Sequence, residues 1–275
     1  MRVMLGYDPS EDDAYKVARF SIERRSSSPV RVSPIVLSDL QRTLLYTRPT
    51  GRCDGQLWDA ISCAPMSSEF AISRFFIPFL VDSDDDEWIL FADSDIVCFE
   101  DISKIFDLRD SSKAIMVVKH VMVGGVGRKK VNKLQSNYPF KNWSSVMLFN
   151  VKHNANKNLT IEYLNKAPGR ELHSFAWLDP ELIGELPPRW NWLIGIEDKM
   201  PDFAIAHFTL GGPWLDGWTD APHDSLWLEE KAEYDRAIYI QNSGFPPTKE
   251  RVCEKCGAIV ISEPLHKREC PARLP

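Results

Sequence analysis

Long apolar runs are missing from this sequence. No uninterrupted hydrophobic stretch in its 275 residues approaches the roughly 20 residues that a membrane-spanning helix needs. The opening segment, MRVMLGYDPSE, becomes polar too early for the apolar region of a secretory signal. We therefore expect a soluble, cytoplasmic protein.

Excess positive charge is also missing. Lysine and arginine number 33 against 39 aspartates and glutamates, which gives a formal net charge of −6. This balance excludes a broadly basic surface, so a polyanionic partner would need a local basic patch. The hydrophobic residues, 44% of the chain, are numerous enough to bury a sizeable core.

Cysteine is sparse until the last thirty residues, where three of the six cysteines gather around one histidine. Three thiolates and an imidazole on short C-x2-C and H-x3-C arms predict a tetrahedral zinc site, and four protein ligands leave no open position for catalysis. We expect a main domain over residues 1–244 and a structural zinc-binding module over residues 245–275, whose folding depends on the metal. The predicted zinc ligands are Cys253, Cys256, His266 and Cys270.

What is present is an alternation of apolar strands with amphipathic helices. Segments such as RVMLGYD, PVRVSPIVL, KAIMVVKHV, SSVMLFNV and PDFAIAHF are typical of strands, whereas EDDAYKVARFSIERRS and SSEFAISRFFIPFLV have helical spacing. Residues 41–57 are expected to form a loop. The alternation predicts a layered α/β fold with a mainly parallel sheet covered on both faces.

One predicted strand, in WILFADSDIVCFEDI, carries two carboxylates where it would end. Ligands bind at the carboxyl ends of strands in α/β proteins, and Asp93 and Asp95 are spaced to address one divalent cation. A lone D-x-D is also typical of a solvated turn. Cys98, just beyond the pair, is expected to be a small buried hydrophobe.

Six motifs in order then resemble the GT-A glycosyltransferases of the glycogenin and bacterial lipooligosaccharide galactosyltransferase group, family 8. The resemblance covers residues 1 to about 215. The motifs are YD at the end of the first strand, SSEFAISRFFIP, FADSDIV, SSVMLFN, ELPPRWNW and HFTLGGPW.

The resemblance implies a Rossmann-like nucleotide-diphospho-sugar transferase fold and transfer of a hexose from a UDP-sugar to a hydroxyl acceptor, with retention and with Mn²⁺ or Mg²⁺. The matching metal ligands are Asp93, Asp95 and His207. The matching donor-binding positions are Tyr7 and Asp8 at the uracil, Arg74 at the phosphates or sugar, Ser94 at the ribose, and Gly211 and Gly212 in the turn after His207.

Three of these residues have simpler explanations. Asp8 could cap the helix that follows it, Arg74 could form a structural ion pair, and His207 could be a hydrogen-bonded core histidine. These alternatives stay open at the level of sequence.

The sequence also departs from the family pattern. Gly212 stands where the family has a lysine, and Lys119, Arg128 and Lys129 are the candidates to replace that cation. The family's acceptor-side Asp-Gln pair is missing as well, and we name no catalytic nucleophile. The acceptor-side candidates are Asn142, Ser144, Glu171, His173 and Asp179.

The acceptor therefore has more than one interpretation. It could be a glycan, a lipid or a small molecule. It could instead be DNA with hydroxymethylated bases, held by the zinc module and by the basic loop 128–141, in which Arg128, Lys129, Lys130, Lys133 and Lys141 would contact phosphates. A non-catalytic sugar-nucleotide-binding protein is the third alternative.

Overall fold

A computed structural model describes residues 1–53, 55–81, 87–121, 140–198, 202–243, 251–252 and 259–260. The chain divides into two compact units, Met1–Glu230 and Lys231–Pro275. All four predicted zinc ligands lie outside the described residues, so the zinc module and its boundary near residue 245 stay predictions. Within the described ranges no helix has the length and apolarity to cross a membrane, and the cellular compartment stays a prediction.

Strands and helices alternate through the first unit as the sequence predicts. The strands are β1 (Arg2–Gly6), β2 (Arg31–Ile35), β3 (Thr50–Cys53), β4 (Gln56–Asp59), β5 (Ala64–Pro65), β6 (Trp88–Ala92), β7 (Ile96–Cys98), β8 (Ile115–Val117), β9 (Val146–Asn150), β10 (Ile183–Glu185), β11 (Trp192–Leu193), β12 (Ile205–His207), β13 (Arg251–Val252) and β14 (Ile259–Val260). The α-helices are α1 (Asp12–Glu23), α2 (Leu37–Arg42), α3 (Phe70–Ser73), α4 (Ser103–Phe106), α5 (Ile161–Lys166), α6 (Gly169–His173) and α7 (Asp224–Ser243).

The central sheet has the strand order β10-β8-β9-β6-β1-β2. Its β1–β2, β1–β6 and β8–β10 pairings are parallel, whereas β9 runs antiparallel to both β6 and β8. Strands β1, β6 and β9 are buried along their whole length, as expected of strands covered on both faces. The parallel core is confirmed, but the sheet as a whole is mixed.

The reversed direction of β9 matters for the site. Val146, the first residue of β9, pairs with Ala92, the last residue of β6. The segment that precedes β9 therefore meets the carboxyl end of β6, and the backbone N–H of Asp93 donates to the carbonyl of Ser145 at 2.8 Å.

The segment WILFADSDIVCFEDI forms two short strands, not one. Strand β6 belongs to the central sheet, but β7 belongs to a second sheet of order β11-β12-β7. The chain crosses between the sheets at Asp93-Ser94-Asp95. Because β7 pairs antiparallel with β12 in a register that places His207 opposite Ile96, the histidine arrives beside Asp95.

Two further predictions need correction. The helix expected over residues 67–81 begins as α3 and continues as a 3₁₀ helix over Arg74–Phe79 that contains Pro78, whose ring nitrogen cannot donate an α-helical hydrogen bond. The loop expected over residues 41–57 includes the hairpin β3–β4. Its Asp-Gly pair is a two-residue hairpin signal, and Gly55 has a φ of 80°.

Candidate active site

Two aspartates and a histidine converge at the junction of the two sheets. His207 Nε2 lies 3.1 Å from Asp95 Oδ1 and 3.9 Å from Asp93 Oδ2, and one ligand atom from each residue falls within 4.8 Å of the others. All three side chains are buried. The backbone fixes the group, because Phe208 N–H donates to the carbonyl of Asp95 at 2.8 Å.

This ligand set fits a divalent cation. Two carboxylate oxygens and one imidazole can coordinate a divalent cation, whereas Ca²⁺ prefers a larger set of oxygen ligands. The three side chains lie close enough to contribute to a single coordination sphere. Asp93, Asp95 and His207 can therefore hold the metal that the sequence predicts.

A buried amide fixes the orientation of His207. Ser145 Oγ donates to the carbonyl of Asn142 at 2.6 Å, so the same Oγ accepts from Asn191 Nδ2 at 2.9 Å. The amide oxygen of Asn191 must then face His207 Nδ1, 2.9 Å away. His207 Nδ1 is thus the protonated donor, which leaves Nε2 as a lone pair directed toward the aspartates.

The hydrogen-bond chain continues away from the site. Asn191 Nδ2 also lies 3.0 Å from His120 Nε2, and His120 Nδ1 lies 2.8 Å from Glu197 Oε1. Burial alone would raise the pKa of Glu197, but hydrogen bonds from His120 and from the backbone N–H of Leu193 lower that pKa overall. Sequence reasoning did not assign a role to Asn191, His120 or Glu197, although Asn191 lies within the quoted motif ELPPRWNW.

Arg74 is a buried partner of the three candidate metal ligands Asp93, Asp95 and His207, which are called the metal group below. Its Nη1 lies 2.8 Å from Asp93 Oδ1 and donates to the carbonyl of Ser144 at 2.8 Å, while Nε donates to the carbonyl of Phe70 at 3.1 Å. The structural ion pair considered at the level of sequence is therefore present. The guanidinium also lines the cavity described next, so it can face a ligand as well.

A cavity of about 790 Å³ opens beside the metal group. This volume is within the range of pockets that bind cofactors and substrates. Its wall combines carboxylates, three cations and small polar residues. The lining residues that bear charge or were predicted as site residues are Asp59, Arg74, Asp93, Asp95, Lys141, Asn142, Ser144, Arg170, Glu171 and His173.

Two of the predicted acceptor-side residues form a pair. Ser144 Oγ and His173 Nδ1 are 2.7 Å apart, and the ring also hydrogen-bonds to the backbone of Ala71. Burial, reinforced by the charge of Arg74, lowers the pKa of His173 well below its ordinary value, so the imidazole is neutral and its Nδ1 accepts a hydrogen bond from the hydroxyl of Ser144. The structure thus joins Ser144 and His173 on one wall of the cavity.

The other acceptor-side candidates divide. Asn142 and Glu171 line the cavity. Asp179 is exposed, begins the turn at Pro180–Leu182 and is outside the cavity wall. No single cluster holds all five predicted residues.

The predicted nucleotide-binding residues are held by local contacts. Asp8 accepts from Ser10 through Oδ1 and from the backbone N–H of Glu69 through Oδ2 at 3.1 Å, so the predicted helix cap is present. Tyr7 donates to Asp12 at 3.0 Å. Ser94 is fully buried, and its hydroxyl has no hydrogen-bond partner among the described residues.

The turn after His207 needs both of its glycines. Gly211 has a φ of 101°, in the region that other residues avoid, and a Cβ on Gly212 would overlap the ring of Trp214. Cys98 is buried as predicted, and burial raises the pKa of its thiol to about 12.

Two of the predicted cations, Lys119 and Lys141, lie elsewhere than expected. The ammonium of Lys119 lies 5.7 Å above the ring of Trp143, and Lys119 is not part of the cavity wall. Lys141 is 8% exposed and lines the cavity, so it cannot lie on an open surface that receives DNA phosphates. Arg128 and Lys129, with Lys130 and Lys133, lie outside the described residues.

The fold matches those of solved glycosyltransferases. The galactosyltransferase LgtC in complex with donor and acceptor sugar analogues aligns with a TM-score of 0.54 at 15% identity, over 85% of this chain and 96% of that chain. The glycosyltransferase GlyE of Streptococcus pneumoniae TIGR4 aligns with a TM-score of 0.54 at 17% identity, over 91% of this chain and 66% of that chain. These likenesses define the class: the protein has the GT-A glycosyltransferase fold.

Sequence comparison then gives the family. Residues 64–216, more than half of the chain, match the model described as glycosyl transferase family 8. Protein CDI of Arabidopsis thaliana is 41% identical over 240 residues, which cover 86% of this chain and 87% of that protein. The chain belongs to glycosyl transferase family 8 and is a glycosyltransferase.

Proposed function

We propose that this glycosyltransferase moves a hexose from a UDP-sugar to a hydroxyl acceptor, with retention of configuration and with a divalent cation, Mn²⁺ or Mg²⁺. The observation that carries the proposal is the convergence of Asp93, Asp95 and His207 next to a cavity of about 790 Å³ whose wall includes both aspartates. The choice of UDP, hexose and retention rests on the family resemblance.

In this proposal the protein positions charge around the donor. Asp93, Asp95 and His207 would hold the cation, which when bound supplies positive charge to a departing diphosphate. Arg74 fixes Asp93 through their 2.8 Å ion pair, and Asn191 fixes the ring of His207. Tyr7, Asp8 and Ser94 remain the proposed contacts for the uridine.

The acceptor would enter along the wall that carries Ser144, His173 and Glu171. These residues offer a hydroxyl, a neutral imidazole and a carboxylate, and such groups can orient a hydroxyl nucleophile. A small-molecule, glycan or lipid hydroxyl fits this wall equally well.

The two alternatives are less well supported. The DNA alternative depends on the basic loop 128–141. Lys141 is the basic residue of that loop that the structure describes, and it lines the cavity instead of an open surface. The non-catalytic alternative drew on motif departures, and membership of a glycosyltransferase family favours catalysis over it.

The test is a pair of aspartate variants. Asp95→Asn removes one charged ligand and should lower metal-dependent turnover of the productive UDP-sugar at least about a hundredfold, since a metal contributes several kcal/mol to such a transition state. The control is Asp110→Asn, which alters a carboxylate on an exposed turn that bonds to Ser112 and should leave turnover unchanged.

The assay is release of UDP from a panel of UDP-sugars at fixed Mn²⁺, with circular dichroism to check folding. Turnover by Asp95→Asn near the wild-type rate would show that Asp95 is not a metal ligand. A wild-type protein that turns over no UDP-sugar, with or without acceptors, would refute the donor assignment.

A further inference from the structure

Lys141 is a buried cation on the wall of the cavity. The residue is only 8% exposed, and the cavity that it lines also contacts Asp93 and Asp95. It lies in the segment that leads into strand β9, directly before Asn142 and Ser144. Little of its surface is therefore in contact with bulk solvent.

The backbone around Lys141 is strained. Phe140 and Asn142, its two neighbours, have φ values of 67° and 66°, in the left-handed region. Asparagine tolerates this region, but an aromatic residue there is unusual and costs roughly 1–2 kcal/mol. Strained backbone of this kind collects at ligand sites.

Several contacts hold this strained turn in place. The rings of Phe140 and Trp143 are 4.5 Å apart, and the indole N–H of Trp143 donates to the carbonyl of His120 at 2.9 Å. Ser145 Oγ donates to the carbonyl of Asn142 at 2.6 Å. The side chain of Lys141 contributes no hydrogen bond to this set. Other residues therefore stabilise the turn, and the ammonium of Lys141 is not needed for it.

The charge of Lys141 is not neutralised by the protein. Within the ranges that the structure describes, no ion pair or hydrogen bond engages its ammonium. Two other buried cations of the same unit are both paired, Arg48 with Asp59 and Arg74 with Asp93. A buried charge without a partner is strongly unfavourable, and burial lowers the pKa of Lys141. An anion bound in the cavity would supply the missing partner and keep the ammonium charged.

We propose that Lys141 is an anion-binding residue of the cavity and that it takes an oxyanion of the bound substrate. The shared chemistry is a phosphate or carboxylate oxygen, which a buried ammonium binds as a charge-assisted hydrogen bond. Two sources fit: the diphosphate of a nucleotide donor, or the carboxylate of an acidic acceptor sugar.

The diphosphate is favoured by what else the cavity holds. A diphosphate can contact a divalent cation and an ammonium at once, and the wall that carries Lys141 also carries Arg74 and two of the proposed metal ligands, Asp93 and Asp95. This choice of source rests on the proposed function. The anion site itself rests only on burial, the turn and the absence of an internal partner among the described residues.

The experiment compares three variants with the wild type. Lys141→Met removes the charge and keeps the length of the side chain, whereas Lys141→Arg restores a cation. Lys166→Met is the control, because Lys166 is an exposed lysine that pairs with Glu162 and lies outside the cavity wall. The first measurement is the affinity for inorganic pyrophosphate without metal, by calorimetry, which needs no assumption about the sugar donor.

The wild type and Lys141→Arg should bind pyrophosphate with similar affinity. Lys141→Met should lose about tenfold to a hundredfold in affinity, the usual worth of a hydrogen bond to a charged group, and Lys166→Met should lose nothing. Unliganded Lys141→Met should also melt at a higher temperature than the wild type, because an unpaired buried charge has been replaced by an apolar side chain.

Further arms separate the sources. Loss of affinity for UDP, with uridine binding unchanged, identifies the donor diphosphate as the anion. Loss for glucuronate but not for UDP identifies an acceptor carboxylate. Equal affinity of the wild type and Lys141→Met for pyrophosphate, UDP and glucuronate, or a wild type that binds none of them, overturns the anion site, whereas failure of UDP-sugar turnover alone overturns only the proposed function.

Discussion

Asn191 orients one residue of the proposed metal site, His207, and is not itself a proposed ligand. Its Oδ1 accepts from His207 Nδ1 at 2.9 Å, and its side chain is completely buried. Loss of a group that orients a metal-binding histidine usually weakens metal affinity by about tenfold to a hundredfold, equivalent to about 1.4–2.7 kcal/mol. We expect this loss of Mn²⁺ affinity in Asn191→Leu.

The same substitution also lowers stability. Asn191→Leu leaves the N–H of His207, the Nε2 of His120 and the hydroxyl of Ser145 without their amide partner. An unsatisfied buried polar group costs about 1–3 kcal/mol, so we expect the free energy of unfolding to fall by roughly 3 kcal/mol or more. Metal affinity must therefore be compared with a variant that is destabilised to a similar degree.

Asn156 provides that control. This buried asparagine also makes three side-chain hydrogen bonds, to the carbonyls of Ala114 and Asn150 and from the indole of Trp177. Asn150 is the last residue of β9, whereas the metal group lies at the first residue, roughly 13 Å away at the usual rise of a strand. Asn156→Leu should lose similar stability and keep the Mn²⁺ affinity of the wild type.

A second variant at Asn191 isolates the acceptor oxygen. Asn191→Asp keeps an oxygen toward His207 but loses the N–H groups that bond to His120 and Ser145. Its Mn²⁺ affinity, measured by calorimetry, should equal or exceed that of the wild type despite lower stability. The reasoning is refuted if Asn191→Leu binds Mn²⁺ as tightly as the wild type, or if Asn156→Leu loses affinity to the same extent.

The proposed metal ligands have two sources in the sequence: the position of Asp93 and Asp95 at a strand end, and, for His207, the family resemblance of its motif. Asp93 and Asp95 follow an apolar run, and His207 ends another. Short-range patterning is enough to locate strand ends, and strand ends are where an α/β sheet binds ligands. The structure adds the pairing of β7 with β12, which brings the histidine to the aspartates.

Strand direction and sheet membership could not be predicted in the same way. A fully buried strand such as VMLFN in β9 has the same composition in a parallel or an antiparallel pairing. The apolar residues on both sides of Asp93-Ser94-Asp95 likewise carry no sign that the chain changes sheets there. The hairpin β3–β4 is different, since the Asp-Gly pair in its sequence is itself a signal for a two-residue hairpin turn.

Hydrogen-bond networks between residues that are far apart in the chain could not be predicted from the sequence. His120 follows an ordinary strand, and only tertiary structure places it 3.0 Å from Asn191. Lys141 ends a segment rich in basic residues, and such segments are usually solvated loops. It is buried instead, between Phe140 and Asn142, which both have a left-handed backbone. The sequence does not predict this backbone conformation.

The remaining predictions concern the tail and one titrating residue. Freshly purified protein should contain about one zinc per chain by metal analysis, because four protein ligands complete a tetrahedral site. The double variant Cys253→Ser, Cys256→Ser should lose this zinc but keep UDP-sugar turnover. Wild-type protein without zinc would contradict the predicted site. His173 should make the protein sensitive to acid. The pKa of His173 in the folded protein lies well below the ordinary value of 6.5. Below pH 6.5 this histidine is therefore protonated in the unfolded chain but remains neutral in the folded chain. The free energy of unfolding should therefore be highest above pH 6.5. It should fall by up to about 1.4 kcal/mol per pH unit as the pH drops toward the folded pKa. The structural reason is that protonation would break the hydrogen bond that His173 accepts from Ser144 and place a second positive charge near Arg74. Urea unfolding of the wild type and of His173→Asn across pH 5–7 measures this slope, and identical pH dependence in the two proteins would show that His173 is not the titrating group.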